Sequence, residues 1–184
     1  MKVTVEKPQI ITLLYQQERS DEDYGSCLWA RFYLDTQNYT MSIESDCGNY
    51  SHGWCPTPNS ETFLHLLCRM DSHYLLGKLA ERTVVDGDAT WEAMKEMIEC
   101  EGEELDDYVW QELEAACYHK RSADEVYASV VEALKYTPVE DAIEAESIWS
   151  CVDMDYHATA KKIVSVFLTA IVPVLKEMEA TSCP

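Results

Sequence analysis

Eight cysteines and five histidines are the residues of this 184-residue chain best suited to hold a metal or supply a nucleophile. Cys47, His52 and Cys55 fall close together in turn-rich sequence, and His65 and Cys68 share a helical turn. Structural zinc sites draw on tight ligand pairs such as two cysteines two to four residues apart, and the chain contains no Cys-x-x-Cys. Buried thiols and ordinary polar histidines are the simpler reading, so neither a metal nor a cofactor is expected. Cys68 with His65 or His73 could form a nucleophile and base, but this many Cys and His give such pairs by chance. No Gly-x-Ser-x-Gly elbow, His-Glu-x-x-His helix, phosphate loop or dinucleotide fingerprint occurs, and 6 glycines leave few tight anion nests. Asp86 with Asp88, or Asp153 with Asp155, could bind Mg²⁺ or Ca²⁺, which keeps a metal-dependent carboxylate enzyme as an alternative. Neither pair has the alternating-ligand calcium pattern.

Acidic residues dominate what remains. The chain carries 34 Asp and Glu against 14 Lys and Arg, a formal net charge of -20. A field of that sign repels phosphate backbones and attracts basic protein surfaces, so direct binding of free nucleic acid is not expected. The charge is uneven: residues 1–80 hold 6 basic and 10 acidic side chains, and residues 81–184 hold 8 and 24. From Asp86 to Glu114 there are 12 acidic residues and one basic residue, Lys95. Glu92, Glu96, Glu99 and Glu103 recur three or four positions apart, a spacing at which like charges destabilise a helix by a few tenths of a kcal/mol per pair.

These side chains need elements to position them. Residues 3–15 predict one or two strands, with Pro8 at a bend or edge. Cys27–Asp35 alternates, Leu28, Ala30, Phe32 and Leu34 against Cys27, Trp29, Arg31 and Tyr33, and Thr36-Gln37-Asn38 turns it into a second strand at Tyr39–Ser45. Tyr50–Trp54 adds a short strand. Asn59 or Ser60 then caps one helix over 60–80, carried by Phe63, Leu64, Leu67, Met70, Tyr74 and Leu75. From Asp88 the period is helical: Trp91, Met94, Met97 and Ile98; Leu105, Val109, Trp110 and Leu113 after Gly102; Val126, Val130, Val131 and Leu134 after a Ser122 and Glu125 capping box; and a short acidic segment after Pro138. The last helix, about 155–179, reads as a core helix with a kink at Pro173.

The fold class is therefore α+β: a small antiparallel β-sheet with a packed helix, followed by a mainly helical acidic region. One domain over 1–184 is the default, with lobes 1–82 and 88–184 as its divided form and Thr83–Asp88 as the boundary. The N-terminus has no apolar run of signal-peptide length, and the stretch Ile163–Leu175 is too short to span a bilayer, so a cytoplasmic protein without a membrane partner is expected.

The stretch CLWARFYLDTQNYTMSIESDCGNYSHGW, followed by FLHLLCRMDSHYLLGKL, resembles small proteins carried by phages and other mobile elements. Proteins of that kind resemble type II anti-CRISPR inhibitors, which bind the Cas9 effector or its guide-RNA complex. The resemblance covers residues 27–80 and implies a protein partner, with no catalytic residues. Cas9 has basic channels for nucleic acid, and an acidic DNA mimic could block them. On charge and expected exposure, Glu96, Glu99, Glu103, Glu104, Asp106 and Asp107 are the partner-binding candidates, with Trp29 and Tyr33 as aromatic anchors. A phage regulatory or assembly protein with another basic partner is the alternative, and the apolar C-terminal helix is compatible with a homodimer.

Overall fold

A computed structural model describes residues 3–4, 9–56, 61–102, 104–118 and 122–182. Pro8, the proposed caps Asn59 and Ser60, and Glu103 lie outside the described residues. The fold is α+β, and the chain divides into two compact units: Met1–Glu81 with Ala158–Pro184, and Arg82–His157. The second unit is thus inserted in the chain of the first. The lobe boundaries 1–82 and 88–184 miss this return, because Ile163, Phe167, Ile171 and Leu175 join the core that contains the sheet.

In the first unit, β1 (Ile10–Gln16), β2 (Trp29–Asp35), β3 (Thr40–Ser45) and β4 (Gly48–Gly53) form an antiparallel meander in chain order. Period-two alternation sets the register: Phe32 faces Ile43 and Leu34 faces Met41 across β2 and β3, all four buried. The Asp35 carboxylate accepts from the backbone N–H of Gln37 (3.1 Å) and Asn38 (3.0 Å), which closes the β2–β3 turn. The strand begins at Trp29, so the alternation expected from Cys27 reverses there: Cys27 is buried and Leu28 is 43% exposed. Over 60–80 the structure has two helices, α1 (Phe63–Cys68) and α2 (Ser72–Leu79), instead of one. Asp71 interrupts them, because its carboxylate accepts from Tyr74 N (2.8 Å) and starts a new helix. Thr62 caps α1 in the same way, accepting from His65 N.

The C-terminal helix closes this core. It runs through α7 (Ala158–Val166), a π segment (Phe167–Ile171) and α8 (Val172–Ser182). Pro173 has no N–H to donate to a preceding carbonyl, and the turn before it widens so that Val172 N bonds Phe167 O. Phe167 is buried with its ring 5.7 Å from that of Phe32. Burying such a side chain contributes about 1.5–3 kcal/mol. The 24 residues Ala158–Thr181 form a helix long and apolar enough to cross a membrane, which corrects the length argument made on Ile163–Leu175. In this fold its Ile163, Val164, Phe167, Ile171 and Leu175 are buried in the protein core.

The second unit is helical around its own core, with one short sheet that the sequence reading missed. β5 (Arg82–Val85) pairs antiparallel with β6 (Met154–Tyr156), where a hinge and the start of a helix were expected. Val84 and Val85 favour extended backbone, and Asp86 N bonding Asp153 O (3.0 Å) and Asp153 N bonding Thr90 Oγ1 (3.0 Å) hold the pair. Then come α3 (Gly87–Cys100), α4 (Asp107–Tyr118), α5 (Ala123–Leu134) and α6 (Ala145–Cys151). Asp86 caps α3 through Ala89 N (3.1 Å) and Ser122 caps α5 through Glu125 N (3.3 Å). Gly102, at φ +72, supplies the left-handed residue beyond the end of α3. Met94, Ile98, Leu113, Val126 and Val130 are fully buried. Trp91 and Trp110 meet edge-to-face at 5.9 Å.

Candidate protein-binding surface

Burying Met94 and Ile98 leaves Glu92, Glu96 and Glu99 on the exposed side of α3. Lys95 bonds Glu92 at 2.7 Å. Glu101, Glu104 and Asp106 continue through the α3–α4 connection, and Asp107 opens α4; all are exposed. Asp107 sits where a helix N-terminus favours negative charge, whereas Glu99 and the C-cap Glu101 sit at the opposite pole, and the last turn of α3 holds no basic residue. Each such misplacement costs about 0.3–1 kcal/mol at low salt. Among the described residues, none of Glu96, Glu99, Glu101, Glu104, Asp106 and Asp107 forms an ion pair. The structure thus places Glu96 and Glu99 on α3, Glu104 and Asp106 in the connection that follows it, and Asp107 at the start of α4.

The carboxylate pairs considered for a divalent ion are occupied otherwise. Asp86 caps α3, and Asp88 accepts from the Tyr118 hydroxyl at 2.8 Å. Asp153 accepts from Met154 N (2.8 Å) and faces Arg82 at 3.8 Å, and Asp155 accepts from Tyr156 N (2.7 Å). Bonding to local backbone and side chains takes each of these carboxylates separately.

Trp29 and Tyr33 belong to the first unit, on the face of β2 opposite the buried Ala30, Phe32 and Leu34. Both are half-buried, and the Tyr33 hydroxyl donates to Glu44 at 3.2 Å. Their partners across the sheet are polar: Trp29 faces Gln16, and Tyr33 faces Thr12 on one side and Ser42, which bonds Ser51 at 3.0 Å, on the other. The aromatic candidates therefore lie in a different unit from the acidic ones.

The thiols sort differently from their sequence grouping. Cys47, His52 and Cys55 do not converge: the His52 ring packs edge-on to Trp54 at 4.7 Å, and Cys55 is exposed. His65 faces Glu61 (3.4 Å) and Glu179 (3.5 Å), while burial, helped by the Glu179 charge, pushes the Cys68 thiol up. A raised thiol is the reverse of an activated nucleophile. The cluster that does form is Cys27, Asp46 and Cys47, whose ligand atoms lie within 4.8 Å of one another. The hairpin carried the signal for it. Ala30 faces Ser45 across β2 and β3, so extending that register two or three residues puts Cys27 beside the turn that holds Cys47.

A family model described as a phage family, Phage_phiTE_072, matches residues 2–177. The chain belongs to this phage family. The match runs through both units of the phage protein. No curated protein and no solved structure matches it. The phage origin read from residues 27–80 agrees with the family; the match names no CRISPR effector.

Proposed function

We propose that this phage protein works by binding, presenting the α3–α4 acidic surface of its second unit to a basic protein surface that otherwise holds nucleic acid. One observation carries the reading: Glu96, Glu99 and Glu101 crowd the negative end of α3, exposed and without an ion pair among the described residues. Folding gains nothing from that placement, whereas a partner lined with Lys and Arg does. The narrower form of the proposal takes a Cas9–guide RNA complex as the partner, following the resemblance of residues 27–80, with DNA binding as the blocked step.

The test is capture of partners by the tagged full chain from cells expressing a matched Cas9 and guide RNA, with a DNA-binding assay on recovered complexes. A variant with Glu96, Glu99, Glu104, Asp106 and Asp107 all changed to Lys is run in parallel. Electrostatic steering changes association rates by about 10- to 1000-fold, so the variant should associate slower by that order, and the wild-type complex should weaken steeply with salt. Recovery of Cas9 with loss of DNA binding supports the narrow form. Recovery of a different basic nucleic-acid-binding protein keeps the general reading, removes Cas9 and favours a phage regulatory role. A partner bound equally well by the Lys variant at high salt overturns both.

A further inference from the structure

The strongest chemistry outside the acidic surface is the thiol and carboxylate cluster at one end of the sheet. Cys27, just before β2, is fully buried, and Cys47, in the β3–β4 turn, is 6% exposed. Asp46 stands beside them, exposed, with Oδ2 accepting from Leu28 N (2.8 Å) and Oδ1 from Trp29 N (3.4 Å). A carboxylate has about four lone-pair positions, so these bonds fix its orientation and leave capacity for a further partner.

The surrounding turn is held in place. Ser45 Oγ donates to Gly48 O (2.6 Å) and accepts from Cys47 N (3.2 Å), and Tyr50 Oη donates to Cys47 O (2.9 Å). Cys47 Sγ itself points to Ser26 O (3.2 Å) and Cys27 Sγ to Trp29 O (3.8 Å). Hydrogen bonds that orient ligand-bearing residues are the usual support of a metal site.

We propose that Cys27, Cys47 and Asp46 bind one thiophilic divalent cation, Zn²⁺, in a four-coordinate site completed by water. Two sulfurs and one oxygen suit this ion by ligand type, and tetrahedral coordination with Zn–S near 2.3 Å places two sulfurs about 3.8 Å apart. The ligand atoms here already lie within 4.8 Å of one another, so closing on the ion needs side-chain adjustment of about 1 Å. On binding, two Zn–S bonds form and the two thiol protons pass to solvent. The ion would pin the β3–β4 turn to the start of β2, so its binding free energy adds to the stability of the first unit. The proposal is independent of the acidic surface, which lies in the other unit.

The experiment uses the full chain, purified under reducing conditions, stripped of metal, and titrated with Co²⁺ and then Zn²⁺. Expected are one metal per chain, thiolate-to-cobalt charge-transfer absorption that Zn²⁺ abolishes, and a Tm that rises with Zn²⁺. Cys47→Ser and Cys27→Ser should lose the absorption, and Cys100→Ser, an exposed cysteine of the second unit, should keep it. Asp46→Asn retains an oxygen for Leu28 N and so keeps the turn folded; it should bind Zn²⁺ at least about tenfold more weakly. The proposal is overturned by the absence of the charge-transfer band, by a band that survives both cysteine changes, or by a fresh chain whose mass is short by two hydrogens from a Cys27–Cys47 disulfide.

Discussion

The two units use their carboxylates in opposite ways. The first carries 13 acidic and 9 basic residues by sequence, net -4; the second carries 21 and 5, net -16. In the first unit Asp23 is held by Lys162 and Gln17, Glu61 by Arg69, and Asp35, Asp46 and Asp71 accept from turn or cap N–H groups. These acidic groups organise the chain. In the second unit Asp86 and Asp88 do the same, but Glu96, Glu99 and Glu101 contribute repulsion at the end of a helix whose stability comes from Met94 and Ile98. The difference separates charge that builds a fold from charge that the fold merely carries, and the proposed partner would be met by the second kind.

The largest effects should come from the two separate cores. Phe167→Ala removes a fully buried ring from the first and should cost about 3–5 kcal/mol; Leu113→Ala in the second should cost about 2–5 kcal/mol. Hydrogen exchange gives the decisive readout. Phe167→Ala should lower protection in β2 and β3 far more than in α4 and α5, and Leu113→Ala should do the reverse. Equal losses in both units from either change would break the division.

Helix caps come next. Ser122→Ala and Asp71→Ala should each lose about 1 kcal/mol by denaturant unfolding, since each leaves an N-terminal N–H without its side-chain acceptor. The two caps also mark what was legible in the chain. Ser122 stands before a clean apolar stripe and Gly102 after one, so both ends could be read locally. Asp71 lies inside a stripe that continues from Leu67 through Leu75, and only its bond to Tyr74 N reveals that the helix restarts. Alternation in residues 29–45 gave the central hairpin because one face of it is buried. β5 and β6 are a few residues each and are defined by pairing across some seventy residues of chain, which no local period encodes. The acidic candidates were legible as a charge block, and the exposure of Glu96 and Glu99 followed from helix spacing. Cys27 with Asp46 and Cys47 was legible only through the hairpin register carried past the end of a strand.

Removing one negative charge should have opposite signs in the two units. Asp23→Asn should destabilise the first. The bond from Lys162 holds the Asp23 carboxyl below its ordinary 3.8. A folded value below the unfolded one gives stability that is present above pH 3.8 and is lost as pH falls through the folded value. The deficit of Asp23→Asn should therefore be full at neutral pH and vanish in acid. Glu99→Gln should stabilise the second unit by a few tenths of a kcal/mol, and Glu99→Gln with Glu101→Gln by up to about 1 kcal/mol, less at high salt. Destabilisation by the α3 changes would mean that Glu99 and Glu101 hold the fold together, and the contrast between the units would fail.

The smallest effect is a titration, and it reads the field of the second unit directly. The Tyr118 hydroxyl donates to Asp88, and that bond, reinforced by burial and by the Asp88, Glu114 and Glu92 charges, pushes the phenol up to about 12. In the first unit Tyr15 is raised chiefly by burial, with the positive charge of Lys162 opposing the rise. The same side chain thus reports a negative surround in one unit and a mixed one in the other. A folded value above the unfolded 10 gives a contribution that is complete below pH 10 and is lost as pH rises through about 12. Asp88→Asn should return Tyr118 toward 10 in a residue-resolved NMR titration and leave Tyr15 where it is. Glu114→Gln should lower Tyr118 by a smaller step, and added salt should shrink that step, because the intervening surface is exposed to solvent. A Tyr118 that ionises near 10 in the unmodified chain would mean that neither the Asp88 bond nor the acidic field acts on it in solution.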